Sequence, residues 1–241
     1  MTSRPKFLIA TMWCGEPDYP HCEQAILTQE GVDVEHVVFK DMVEVDAHNA
    51  VYQAFNNAGP DVFRGKVDAD VVLNPTALLT VAGACGPMTW LDPKTHDYFT
   101  DGALSAGLAF YGSAVRFTHQ TLTLKCDRDV ASQRSPSGMG VIGRHAHYAD
   151  EWTGFRYGFH RGLKSQLPVY EAVKAAHSRH HDRVRLMAIR GFELAQSDMY
   201  IDYHTGKVSS PMDHNYGDPK LRELFDTYKD ETKDVPPRTW R

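Results

Sequence analysis

The sequence predicts an α/β fold: a mainly parallel central sheet with helices on both faces, followed by a helical C-terminal segment. Two observations carry this. Over the first 75 residues, short apolar runs rich in β-branched residues alternate with stretches of helical spacing. A composition of 42% hydrophobic and 24% charged residues over 241 positions is that of a globular chain able to bury a sizeable core. One globular unit is therefore expected to account for nearly the whole chain.

Taken in order, "KFLIATM" reads as a buried strand and "YPHCEQAILTQ" as a short helix, with Cys22, Ile26 and Gln29 at helical spacing. "VDVEHVVFK" is a second strand, its β-branched residues gathered around Val34, Val37 and Val38. "DAHNAVYQAFNNAG" is a second helix, with Asp46 as its expected N-cap and Gly59-Pro60 marking its end. "GKVDADVVL" supplies a third strand. Strand, helix, strand, helix, strand implies right-handed crossovers and parallel neighbours. Beyond Asn74, "PTALLTVAGAC" reads as a helix, "WLDPKTHDYFTDG" as polar and turn-rich, and "ALSAGLAFYGSAVRF" as short strand-like runs broken by glycines. "RDVASQRSPSGMGVIGRH" reads as a loop and is expected to form a lid. After "DEWTGFRYGFHRGLKSQLP" comes one long helical pattern, "VYEAVKAAHSRHHDRVRLMAIRGFELAQ", and a polar tail.

Several function classes are disfavoured. A formal net charge of -5 leaves no global electrostatic footprint for nucleic acid or an anionic membrane. Cys14, Cys22, Cys85 and Cys126 form no CxxC pair, so free thiols in a reducing compartment and no structural zinc site are expected. Arg4 and Lys6 precede the apolar run "FLIATMWC", but the run stops at once in "GEPDYP", which fits a first strand better than a signal peptide. No stretch approaches the roughly 20 apolar residues of a membrane helix. The expectation is a cytoplasmic protein.

In an open α/β sheet, ligands collect beyond the carboxyl ends of the strands. That edge is expected to carry Thr11 to Glu16, then Lys40 and Asp41, then Asp68 to Asp70. On an extended strand Asp68 and Asp70 point to the same side, next to an apolar run. Two like charges at a core boundary repel, and a divalent cation offsets the repulsion. Hard oxygen ligands suit Mg²⁺ or Mn²⁺, which share phosphate oxygens with a bound nucleotide. The alternative, two solvated acids at a strand end, stays open on these residues alone.

The order of these motifs resembles glycosyltransferase family 2. "FLIATMWCGEPDYPHCEQAILTQ" is similar to that family's opening strand, acid-containing loop and helix ending in Gln, with Glu16 and Gln29 in those places. "VVFKDM" looks like its second strand, with Asp41 where an acid contacts the nucleobase. "AHNAVYQAFNNAGPDVFRGKVDADVVL" resembles the next segment, with Asn49 and Ala54 ahead of the D-x-D strand. The resemblance covers residues 6–75 well and the remainder loosely. It implies a single domain over 1–241 of the GT-A type, with a nucleotide-binding half at 1–75, an acceptor and catalytic half at 76–168, and a helical extension at 169–241. It further implies an inverting transfer from a UDP-, GDP- or TDP-sugar to an unidentified acceptor. By this resemblance Thr11, Glu16 and Asn49 belong to the nucleotide site, Asp41 holds the base, Asp68 the ribose or metal, and Asp70 the metal.

An inverting transfer needs a base to take the acceptor's proton. The family's usual "ED" and Arg-containing helix have no clean counterpart here. Asp150 and Glu151, ahead of a helix carrying Arg156, His160 and Arg161, are the nearest, with Asp97 and Asp101 as rivals and a helix N-terminal acid as the alternative role. His145 and His147 alternate as on an extended strand, and each either completes the metal site or binds diphosphate, as the resemblance implies, or is a partly exposed polar side chain; Arg144, Arg156, Arg161 and Lys164 either contact diphosphate or form a solvated basic face. His177 and His181, four apart, are expected to be a solvated face, and Trp13, Trp90, Trp152, Tyr98 and Tyr157 to pack in core or rim. Two other functions remain: a nucleotidyltransferase, whose Gly-rich basic loop "TMWCGEPDYP" lacks, and a non-catalytic nucleotide-sugar-binding module.

Overall fold

Strand β1 (Lys6–Trp13) runs through a buried environment, with its residues 7–12 all buried. It pairs in parallel with β2 (Asp33–Lys40) on one side and β3 (Val62–Val67) on the other. Because successive side chains of a strand point to opposite faces, β1 feeds two cores. Phe7 and Ile9 pack with Cys22 and Ile26 of α1 (Tyr19–Leu27) and Leu78 and Val81 of α3 (Ala77–Ala84). Leu8, Ala10 and Met12 pack with Ala47, Val51 and Phe55 of α2 (Glu44–Asn57). The expected helices on both faces are therefore present. The structure is a computed structural model and describes residues 3–105, 107–120, 133–134, 139–197, 219–231 and 233–235.

The remaining strands are β4 (Val71–Leu73), β5 (Thr89–Leu91), β6 (Lys94–Asp97), β7 (Gly102–Leu104), β8 (Leu108–Tyr111), β9 (Gln133–Arg134) and β10 (Val141–His145). They form a six-stranded sheet, β2-β1-β3-β8-β5-β9, and a four-stranded sheet, β4-β10-β6-β7. Among the described residues four strand pairs are parallel and four antiparallel, so the expected mainly parallel sheet is corrected to a mixed one. The reason is connection length. Helical crossovers serve β1 to β3, whereas β6 and β7 are joined by residues 98–101 alone, which permits only an antiparallel return.

The expected third strand is also corrected. "GKVDADVVL" is two strands in two sheets, β3 ending at Val67 and β4 starting at Val71, joined by a turn in which Val71 N–H donates to the Asp68 carbonyl at 3.0 Å. Aspartate favours such turns because its short polar side chain competes with ladder hydrogen bonding. Helix α2 starts at Glu44 with Val43 as N-cap, so Asp46 lies in the first turn instead of capping it. Its acid still opposes the partial positive charge of the helix N-terminus. Its other end is held by Arg64, fully buried on β3. The guanidinium donates to the carbonyls of Phe55 at 2.6 Å, Ala58 at 3.3 Å and Gly112 at 3.2 Å. A cation at a helix C-terminus meets the negative end of the dipole as well as the unpaired carbonyls.

The chain divides into two compact units, one of Met1–Asp97 and Gly102–His147, the other of Tyr98–Asp101 and Tyr148–Arg241. The second unit carries α4 (Glu151–Leu163), α5 (Leu167–His180), α6 (Arg183–Gln196) and α7 (Pro219–Glu231). The long helical pattern splits into α5 and α6 because His181 adopts a left-handed conformation, φ 50°, and the Asp182 side chain accepts from Arg185 N–H to start α6. Helix α4 meets α6 backbone to backbone through Gly154, Gly158 and Gly162. A Cβ at Gly158 would stand 1.7 Å from the Ala188 carbonyl oxygen.

In the first unit the expected loop at 128–145 yields β10 at its end, while residues 128–132 and 135–138, where the lid is expected, lie outside the described residues. Among the described residues no helix is long and apolar enough to cross a membrane.

Candidate functional site

The first unit gathers its acids where β1 and β3 end. From β1 the chain leaves toward β2 through α1, and from β2 it returns through α2 to β3 on the other side, so the order reverses at β1. Such a reversal opens a crevice beyond the strand ends. Helices α1 and α2 also begin at this edge, and the first turn of α1 is already tied to its own loop, Tyr19 N–H donating to the Glu16 carbonyl and His21 N–H to the Asp18 carbonyl.

At the end of β1, Cys14 N–H donates to Glu16 Oε2 at 2.8 Å, and the indole N–H of Trp13 to the Glu16 carbonyl at 3.4 Å. Glu16 thus shapes its own loop. The Trp13 ring stacks on Tyr19 at 4.8 Å between centroids, and the Lys40 ammonium lies 4.8 Å from its centre. Asp41 follows β2 with φ 52°, is exposed, and is tied to β1 by its N–H donating to the Trp13 carbonyl at 3.1 Å. Thr11 lies inside β1, fully buried, with Oγ1 3.0 Å from His36 Nε2, so it supports this edge from within.

At the end of β3, Asp68 N–H donates to the Gly107 carbonyl at 2.8 Å. Gly107 has φ 68°, and a Cβ there would lie 2.6 Å from Val71, so only glycine lets the chain pass this close to the turn. Asp68 forms an ion pair with Lys66. Burial opposes its charge, but the Lys66 ammonium outweighs this, with His145 and His48 assisting, and holds the carboxyl below its usual range. Asp70 keeps Oδ2 3.3 Å from His145 Nε2, while its Oδ1 is buried with no hydrogen-bond partner. The backbone sets this approach: β10 pairs with β4, placing His145 opposite Val71, and Ala146 N–H donates to the Asp70 carbonyl at 2.8 Å. On the other side of the ring, His145 Nδ1 lies 2.6 Å from Oδ1 of Asp97, which is fully buried. Burial works against a charge on His145, yet Asp70 and Asp97 raise its pKa well above the usual imidazole range.

Cys22 reports the local field. Its buried thiol donates to the Asp68 carbonyl at 3.5 Å, and burial, then Asp70 and Asp68, with Asp18 adding, push it far up, so it stays neutral. Three carboxylates, Asp18, Asp68 and Asp70, therefore act on one point, and Asp18 is fully buried. That charge density suits a cation. Among the described residues, no three carboxylate, thiol or imidazole groups converge as a complete ligand set. Asp70 and His145 are the pair positioned to share an ion, and Mg²⁺-type ions take one or two protein carboxylates and complete their shell with water and phosphate.

The other expected residues lie elsewhere. Asn49, on α2, accepts from Gln120 N–H at 2.7 Å and donates to the Gln120 carbonyl at 3.0 Å, so both ends of its carboxamide clasp backbone. Asn56, two turns on, does the same with Phe117. Both line a cavity of about 530 Å³ along α2 with Tyr52 and Phe117. Gln29 is likewise structural, donating to Asn74 O and accepting from Leu78 N–H to tie α1 to the start of α3.

Asp150 and Glu151 belong to the second unit. Asp150 caps α4, its Oδ1 accepting from Thr153 N–H and Oγ1–H, both at 2.7 Å. Glu151 lies 3.5 Å from Arg183 through Oε1 and keeps a buried Oε2 with no hydrogen-bond partner. It lines a cavity of about 290 Å³ with Trp152, Arg222 and Lys229. Asp101 pairs with Arg179 and His180 in the same unit. Arg156, Arg161 and Lys164 also belong to it, Arg156 buried and the others half-buried, while Arg144 is exposed on β10 and His147 half-buried just past it. His177 and His181 stand 6.0 Å apart but do not share a helix face, since His181 has left α5.

Sequence reasoning missed Asp18, His48 and Lys66. Asp18 sits within the loop already singled out for Glu16, and its signal was position immediately before the helix. Lys66 was readable as a cation two residues from Asp68 on an alternating strand. His48 had no sequence signal of its own, because its neighbour across the fold is 20 residues away. Comparison with family models, curated proteins and solved structures finds no match for this chain.

Proposed function

We propose that this chain is a divalent-cation-dependent transferase of the GT-A type that moves a sugar, with inversion, from a nucleotide-diphosphate donor to an acceptor hydroxyl. One observation carries the reading: beyond the end of β3, at the reversal of strand order, Asp70 faces His145 at 3.3 Å and retains a buried carboxylate oxygen without a partner. An anionic ligand entering this acid-lined edge needs a cation between itself and the protein. Asp70 and His145 would hold Mn²⁺ or Mg²⁺, and the bound ion would stabilise charge on the departing diphosphate as a Lewis acid.

The remaining residues bind and orient. Lys66 keeps Asp68 ionised, leaving it an acceptor for ribose hydroxyls. Asp41 and the stacked Trp13 and Tyr19 border the end of β1, where a nucleobase would meet a flat aromatic surface and a carboxylate acceptor. Asn49 and Thr11 are left out, since their polar groups already serve the fold. Of the two acids read as base, both in the second unit, Asp150 is engaged in capping and Glu151 keeps a buried Oε2 with no hydrogen-bond partner.

Calorimetry with UDP, GDP and TDP, each with and without Mn²⁺, tests this. One of the three is expected to bind, and only with the ion present. Failure of all three overturns the reading. Hydrolysis of a matching sugar donor then separates a transferase from a binding module.

A further inference from the structure

We propose that Asp97 is a positioning residue, holding the His145 imidazole so that Nε2 is turned to the Asp70 side as a cation ligand. This rests on the reading of Asp70 and His145 as a divalent-ion pair. It adds a residue from another strand whose role is to set the ligand's orientation.

The geometry of the small sheet carries the inference. His145 lies on β10 between β4 and β6, which pair with it on opposite edges. In the parallel β10–β6 register His145 is opposite Asp97, so the two side chains share a face side by side. Nδ1 and Oδ1 are 2.6 Å apart, a charge-assisted distance. Asp97 has no exposed side-chain surface, so it does not meet a nucleotide or an acceptor directly, and its Oδ1 lies against the ring. A divalent ion would displace the Nε2 proton to solvent, leaving an imidazole that keeps Nδ1–H toward Asp97 and presents Nε2 as its lone-pair nitrogen, and a carboxylate behind a ligating histidine fixes ring orientation. Burying Asp97 in this place has a cost that a merely structural contact would not require, since an apolar pair of similar volume would fill the space.

The test uses the full chain with Mn²⁺ alone as the probe. With ¹⁵N-labelled histidine, the electron spin echo spectrum of bound Mn²⁺ is expected to show coupling to one histidine nitrogen, absent in His145→Gln. Asp97→Asn is expected to weaken Mn²⁺ binding 10- to 100-fold and diminish that coupling. A structural contact would lower Tm in Asp97→Asn while leaving Mn²⁺ affinity within twofold, and that result overturns the proposal. Should Asp97→Asn fail to fold, the wild-type spectrum decides: no histidine nitrogen coupling, or no Mn²⁺ binding at all, overturns it. The function reading fails separately, if Mn²⁺ binds with the His145 signature but no nucleotide diphosphate follows.

Discussion

His145 Nε2 stands 3.3 Å from Asp70 Oδ2 across the β4–β10 pair, joining side chains 75 positions apart in the chain. If this pair holds the ion that receives the donor diphosphate, Asp70→Ala abolishes Mn²⁺-dependent nucleotide binding in calorimetry. Asp68→Asn should leave some binding, because Asp68 is committed to Lys66. Unchanged affinity in Asp70→Ala counts against the site.

Asp150 and Glu151 separate by what they do. Asp150→Ala removes the cap of α4, and a loss of about 1 kcal/mol in urea unfolding is expected, whereas Asp150→Asn keeps an acceptor for Thr153 N–H and should stay near wild type. Glu151→Gln removes only an ion pair with Arg183, and a loss of under about 1 kcal/mol is expected.

Two glycines give opposite outcomes. Gly158→Ala places a Cβ 1.7 Å from the Ala188 carbonyl oxygen and must push α4 away from α6, so a loss of at least about 3 kcal/mol or failure to fold is expected. Gly83→Ala, exposed on α3 with nothing within 4 Å of the new Cβ, should gain roughly 0.5–1 kcal/mol. Thermal melts of the two variants check the pair.

Arg64→Met keeps most of the side-chain volume but leaves the carbonyls of Phe55, Ala58 and Gly112 without their donor. Unsatisfied buried acceptors cost about 1–3 kcal/mol each in unfavourable cases, so destabilisation of roughly 2–4 kcal/mol is expected. Denaturant unfolding that matches wild type would show that water replaces the guanidinium.

Acid should weaken the second unit through Asp182. Burial opposes its charge, but Arg185 N–H at 3.0 Å, Tyr98 O–H at 2.7 Å and the Arg185 guanidinium at 2.5 Å hold its carboxyl below the usual range. The folded value lies below the unfolded one of about 3.9, so this stabilisation is fully present above that pH. It is lost as pH falls through the lower folded value. Asp182→Asn should be less stable at pH 7 and show a shallower loss of stability below about pH 4. Equal acid sensitivity in the variant would assign the effect to other carboxylates.

Local periodicity made β1, α1, β2 and α2 legible, because a two-residue or 3.6-residue repeat of apolar side chains needs only neighbours in sequence to be read. The same signal misled where a local pattern crossed a tertiary boundary. "GKVDADVVL" alternates well enough for one strand, and only pairing with β8 on one side and β10 on the other splits it into two sheets. The α5–α6 run was read as one helix because both halves share a period, and His181 and Asp182 end it by backbone conformation and capping.

The acids of the candidate site were visible in the sequence by type and order, since carboxylates at successive strand ends recur along the chain. What joins them was not. Asp97 is a rival for the base in the sequence, and a parallel strand pairing makes it a buried partner of His145, 48 residues away. Hydrogen-bond partners of that kind are chosen by strand register, and register is a long-range property: each strand's pattern fits several alignments, and only packing of the whole sheet selects one.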